Sequence, residues 1–345
     1  MKFSFHLTLV SSSLLLLPLL ATVSSAVPLV ARQDDASETP EGQAIERNGP
    51  LPEDTKSVFD MALNSTDYPD TVEAALNGTY AEALAATRDA TAAEIEELTF
   101  YSALSANVYC PAVIGGLWVC PNCDKTRHLE IVETFNTLVY DMNGIIARDD
   151  DKKEIIVVFR GSVSINNWIA DLNAVLADYP SVTLARVHAG FLGSWEDCKS
   201  TVTSTVESEL SSHPDYKLVI TGHSLGGAVA VLAALDFHAD GVSDLALYTQ
   251  GQPRVGNRRL AQHIVDTGIT YKRAVHARDT VPHVPDNLNG FYHAGEEYWQ
   301  VSDLTSRVQV CPDGLETSDC ANSIAPFTSF VDHTTYFDMS TGICL

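Results

Sequence analysis

The residues with the clearest chemical purpose are Gly222-His223-Ser224-Leu225-Gly226, followed by Gly227 and Ala228. They form a G-x-S-x-G pattern between an apolar stretch, Val219-Ile220-Thr221, and a segment dense in Ala and Leu. A serine in that setting sits on a sharp strand-to-helix turn, its hydroxyl raised at the C-terminal edge of a sheet. The turn brings strand and helix so close that positions two residues either side of the serine have no room for side chains. Gly222 and Gly226 meet that demand. The helix N-terminus then aims free N–H groups, that of Leu225 foremost, at an oxygen on which negative charge develops. The chemistry implied is nucleophilic acyl transfer through Ser224.

A serine hydroxyl is a poor nucleophile near neutrality, so it needs a base, and the base needs an orienting acid. In a strand–turn–helix setting of this kind the chain order is serine, acid, histidine. Asp279 follows the strand-like run 270–277 and is the leading acid, with Asp286 and Asp303 as alternatives. The histidines beyond it are His283, His293 and His333. His283 is very near Asp279 along the chain, and His293 falls in a Tyr- and Gly-rich loop. His333 stands nearest the C-terminus, where the base loop belongs.

Placing these groups requires a sheet with helices on it. Runs 154–159, 217–221 and 245–249 are short, apolar and β-branched, as buried strands are. Residues 227–238 read as a helix, and Thr91 with Glu94 three positions on is a capping-box start for another. Strands alternating with helices predict an α/β fold, a mostly parallel central sheet flanked by helices, over residues 89–345. Upstream, Lys2, the apolar run 9–20 and the small residues Ser24-Ser25-Ala26 predict a secretory signal over 1–26. Residues 27–88 carry twelve acidic and four basic side chains, no Cys, and sequons at Asn64 and Asn77. That composition predicts a pro-region, with Arg32, Arg47 and Arg88 as candidate processing points and a retained linker as the alternative.

The whole chain has 345 residues, 45% hydrophobic, and a net charge of −24, which excludes a phosphate-binding nucleic-acid partner. No later apolar run reaches membrane-spanning length, so no transmembrane anchor is expected. Its seven cysteines, Cys110, Cys120, Cys123, Cys198, Cys311, Cys320 and Cys344, suit an oxidising compartment: up to three bridges and one spare thiol. Cys120 and Cys123 flank a Pro-Asn turn and are within reach of each other. Spacing leaves the remaining connectivity open.

The strings GHSLGGA (222–228), PRVGN (253–257) and VHARDTVPHVP (275–285) resemble the filamentous-fungal class 3 triacylglycerol lipases, as do FRGS (159–162), VHAGF (187–191), SRVQVC (306–311) and the tract 322–338. The resemblance covers roughly 95–345 and implies the α/β-hydrolase fold. It implies Ser224 as nucleophile, Asp279 as acid and His333 as base, with Ser162 and Leu225 supplying the oxyanion hole. It also implies bridges Cys110–Cys344, Cys120–Cys123 and Cys311–Cys320, leaving Cys198 free.

Ile165, Trp168, Ile169 and Leu172 follow Ser162 at i, i+3, i+4 and i+7, one apolar face of a short helix. Periodicity alone allows a core helix. By position the stripe matches the lid of these lipases, covering Ser224 in water and turning outward on lipid. The same fold hosts feruloyl esterases with a more polar lid, so the stripe favours long acyl esters at a lipid–water interface. The alternatives are a feruloyl or short-chain carboxylesterase, an inactive surface-binding homologue and, more remotely, a serine peptidase. No cofactor or metal is expected, since no HExxH, EF-hand loop or paired CxxC occurs. A monomer is expected.

Overall fold

The computed structural model describes residues 87–163, 175–302, 307–325 and 328–344. The chain divides into two units, Met1–Val72 and Glu73–Leu345, and every described residue belongs to the second. The signal segment 1–26, nearly all of the pro-region with Asn64 and Asn77, the lid residues Ile165, Trp168, Ile169 and Leu172, and Asp303 lie outside the described residues.

The apolar runs become strands of one sheet: β1 (Arg88–Asp89), β2 (Glu130–Asn136), β3 (Asn143–Asp149), β4 (Glu154–Phe159), β5 (Lys217–His223), β6 (Leu245–Gln250), β7 (Thr270–His276), β8 (Glu296–Gln300) and β9 (Val308–Cys311). Their order is β1-β9-β8-β7-β6-β5-β4-β3-β2. Neighbours from β4 through β8 run parallel. Both edges are antiparallel. The expected mostly parallel sheet is thus a mixed one with a parallel centre. Connections 137–142 and 150–153 are too short for a crossover, so β2, β3 and β4 can pair only as hairpins.

Side chains alternate across this sheet, as a period of two dictates. Ile155, Val157, Phe159, Leu218 and Ile220 join one core with Phe191, Trp195 and Val202 of α2 (Ala189–Ser212) and Ala228 and Leu232 of α3 (Leu225–Ala239). Ile156, Val158 and Val219 point the other way, against Leu98, Tyr101 and Leu104 of α1 (Ala92–Asn107). Burying each large aliphatic side chain contributes roughly 1.5–3 kcal/mol. These two cores hold β5 and α3, and so the turn between them, from both sides.

Helix α1 opens on the predicted capping box: Thr91 Oγ1 accepts from the Glu94 amide at 3.3 Å and Glu94 accepts from the Thr91 amide at 2.8 Å. Helix α3 starts at Leu225, two residues earlier than its Ala/Leu pattern suggested, because Gly226 and Gly227 occupy its first turn. Arg88, a candidate processing point, pairs in β1 with β9 and forms a 2.6 Å ion pair with Glu94. Among the described residues no helix is long and apolar enough to cross a membrane.

Three bridges form, Cys110–Cys344, Cys120–Cys123 and Cys311–Cys320, as the resemblance implied. The first spans a sequence separation of 234. Closing so long a loop contributes about 5 kcal/mol in the chain-entropy model. Cys198 stays free and buried, and burial pushes its thiol up to about 12. It is an inert core residue.

Candidate active site

Ser224, Asp279 and Ser162 each follow the C-terminal end of a parallel strand, and the fold brings His333 to Asp279. Ser224 follows β5 with φ 59° and ψ −128°. A side chain with a Cβ pays for that conformation, so the surroundings must enforce it. They do so by close approach. A Cβ on Gly222 would drive into the backbone of Gly226, and one on Gly226 into the carbonyl of Phe159 at the end of β4. The Ser224 amide donates to the Gln250 carbonyl at 2.9 Å, and its own carbonyl accepts from Gly227 and Ala228. The amide of Leu225 opens α3 and has no intrahelical acceptor.

Strand β7 ends at His276, and the chain turns so that the Asp279 amide donates back to the His276 carbonyl at 2.9 Å. Asp279 is fully buried. Its Oδ1 accepts from the Val281 amide at 2.8 Å. Its Oδ2 accepts from His333 Nδ1 at 2.7 Å and from the Tyr336 hydroxyl at 2.5 Å. Burial, with Asp279 beside it, pushes the Tyr336 hydroxyl well above the usual tyrosine range, so it acts as a donor. A proton held on His333 Nδ1 leaves Nε2 as a lone pair. His333 Nε2 and Ser224 Oγ are both buried, and neither has a hydrogen-bond partner among the described residues. In an unliganded site the bond between such a pair is commonly long and closes on substrate.

The loop after β4 runs beside the serine. The Arg160 amide donates to the Asn143 carbonyl at 2.8 Å. A Cβ on Gly161 would lie 2.6 Å from the His223 carbonyl and 3.0 Å from Ser224 Cβ. Half-buried Ser162 comes next. Several described side chains nearby in sequence are apolar and exposed: Val163 and Val175 flank the undescribed residues 164–174, and Phe330 and Val331 precede His333. Leu138, 98% exposed, and Val139, 78% exposed, top the hairpin between β2 and β3, at the end of β4 where this loop starts.

The alternative acid and bases go elsewhere. Asp286 caps the short turn Asn287–Asn289. His293 is buried with Nε2 against the Pro282 carbonyl at 2.8 Å, and burial holds it well below the usual histidine range. His283 lines a separate cavity of about 470 Å³ with Arg254 and Glu316. Four neighbours of the site were not evident from sequence. Tyr336 and Tyr109 reach it only through the fold. His223 had been an unassigned position within the serine motif. Gly251 adopts φ +56°, and a Cβ there would lie 2.8 Å from both Asp279 Oδ2 and His333 Nδ1. Position three after the base, in Asp332-His333-Thr334-Thr335-Tyr336, was the one available hint for Tyr336.

Known proteins share both the sequence and the backbone. A model of the family "Lipase (class 3)" matches residues 156–289, a span holding Ser162, Ser224 and Asp279. A lipase of Rhizomucor miehei is 49% identical over 335 residues, 94% of this chain and 91% of that protein. The solved complex of Rhizomucor miehei lipase with its propeptide is 50% identical, with a TM-score of 0.74, over 89% of this chain and 95% of that one. A solved triacylglycerol lipase with a serine protease triad as its catalytic centre is 52% identical, with a TM-score of 0.74, over 75% of this chain and all of the other. The chain belongs to the class 3 lipase family, carboxylic ester hydrolases of the α/β-hydrolase fold.

Proposed function

We propose that the protein is a secreted triacylglycerol lipase acting at the lipid–water interface, with Ser224 as nucleophile, His333 as base and Asp279 as orienting acid. The observation that carries the assignment is the fully buried His333–Asp279 contact at 2.7 Å beside a serine held at positive φ on a helix N-terminus. In this mechanism His333 Nε2 takes the Ser224 proton as Oγ attacks the ester carbonyl. The oxyanion develops against the Leu225 amide and Ser162. The imidazolium then protonates the leaving alkoxide, and water repeats the sequence to free the fatty acid. A positive charge on His333 is met by Asp279, whose Oδ2 already faces Nδ1.

The exposed apolar side chains of Leu138, Val139, Val163, Val175, Phe330 and Val331 support a lipid surface as the substrate phase. The stripe Ile165, Trp168, Ile169 and Leu172, which falls between Val163 and Val175 along the chain, is proposed as the lid on its apolar period. We further propose export through the signal 1–26 and removal of a pro-region. Because Arg88 contributes to β1 and pairs with Glu94, the cut that frees the domain falls N-terminal to it. Turnover of long-chain triglyceride should exceed that of methyl ferulate, and should rise steeply as the triglyceride passes from dissolved to emulsified. A smooth hyperbola through that point, or a preference for ferulate, overturns the interfacial reading.

A further inference from the structure

His223 is fully buried, directly before Ser224, yet the turn uses only its backbone. An imidazole in such a place spends desolvation energy unless both ring nitrogens are used. Both are. Its Nε2 lies 3.0 Å from the His333 carbonyl oxygen, and its Nδ1 lies 2.8 Å from the Tyr109 hydroxyl. Tyr109 follows α1 and is itself buried, and its hydroxyl packs so closely on Gly161 that a Cβ there would clash with it.

The donor directions are forced. A carbonyl can only accept, so the His223 proton is on Nε2 and Nδ1 is a lone pair. The Tyr109 hydroxyl must then donate to Nδ1. A packing contact and two hydrogen bonds together run from the loop carrying Ser162, through Tyr109 and His223, to the backbone of His333. The Thr341 hydroxyl donates to the same His333 carbonyl at 3.1 Å, fixing it from a second side. The two imidazoles also lie in contact, with centroids 4.4 Å apart and planes tilted by 32°. Burial holds His223 well below the usual histidine range, so the ring against the base stays neutral.

We propose that Tyr109 and His223 form a positioning relay that couples the oxyanion loop to the catalytic base, fixing the distance between oxyanion donors and imidazole across four segments remote in sequence. The relay touches no reacting atom. It acts by holding Gly161, and therefore Ser162, in register with His333, and it rests on the roles proposed above for Ser162, Ser224 and His333.

The test uses the full chain and a soluble short-chain p-nitrophenyl ester below its solubility limit, so that the interfacial step does not contribute. Tyr109→Phe keeps the ring and removes the hydroxyl. It should lower kcat about tenfold with KM nearly unchanged, the equivalent of one hydrogen bond's net worth in the transition state. His223→Phe should cost as much. The double variant should cost no more than the worse single one, because a chain broken once is already broken. His223→Gln, whose amide restores a donor toward the His333 carbonyl, should recover part of the loss.

A kcat for Tyr109→Phe within twofold of wild type, as an order-of-magnitude bound, overturns the relay, and so does full additivity in the double variant. A loss of thermal midpoint that alone accounts for lost activity does the same. Should His223→Phe fail to fold, Tyr109→Phe decides alone. Phosphonate labelling separates this proposal from its foundation. Labelling that persists in Ser224→Ala removes the triad reading itself, whereas wild-type turnover in Tyr109→Phe, with Ser224→Ala unlabelled, removes the relay only.

Discussion

Replacing Ser224 with alanine is expected to lower kcat on emulsified triglyceride by about 10⁵- to 10⁶-fold while the fold persists. In the proposed mechanism the residue supplies the atom that becomes acylated, and its hydroxyl makes no hydrogen bond among the described residues that folding would miss. Stability and activity should part further in a second variant. The backbone at φ 59° and ψ −128° costs any residue with a Cβ on the order of 1–3 kcal/mol, whereas glycine adopts it freely. Ser224→Gly should therefore be as inactive as the alanine variant but raise the denaturant midpoint. Kinetics and urea unfolding on the same preparations check both halves. Residual activity above about one per cent in either variant would contradict Ser224 as the nucleophile.

Asp279→Asn should reduce kcat by roughly 10⁴-fold with little effect on folding, because the substitution enforces the wrong imidazole tautomer. The reason lies in the three donors around the acid. The Val281 amide at Oδ1 demands an oxygen there, so the asparagine NH₂ must take the Oδ2 position facing His333 and Tyr336. An NH₂ at that place donates to His333 Nδ1 and drives the ring proton onto Nε2, where Ser224 needs a lone pair. The Tyr336 hydroxyl can rotate to accept, which keeps the packing intact. Comparison of kcat on a soluble ester is the direct check. Activity within tenfold of wild type, an order-of-magnitude bound, means that Asp279 does not orient the base.

What was legible in the sequence follows how local each feature is. The elbow was legible because strand, turn and helix are contiguous from Lys217 to Ala239, and each glycine has a nearby steric reason. The capping box at Thr91 was legible for the same reason. Asp279 and His333 were one step harder. Chain order ranked them, but only the fold brings them to 2.7 Å and sends His283, His293 and Asp286 elsewhere. Which strands lie antiparallel was not legible: β1 has two residues and β9 four, too short for a periodicity, and the direction of β2 and β3 depends on the length of their connections. Tyr109 and Gly251 were illegible in principle, because each meets the site through a contact between distant segments that no rule of residue type or spacing marks, and for Tyr336 the position three after the base was the one hint.

The most direct measurement is a crystal structure of the protein inactivated by an alkyl phosphonate that mimics the tetrahedral intermediate. The account predicts phosphorus bonded to Ser224 Oγ, His333 Nε2 within hydrogen-bond reach of that oxygen, and the phosphonyl oxygen about 2.7–3.1 Å from the Leu225 amide and Ser162. An adduct on a different side chain, or an imidazole other than that of His333 facing Ser224, would contradict it.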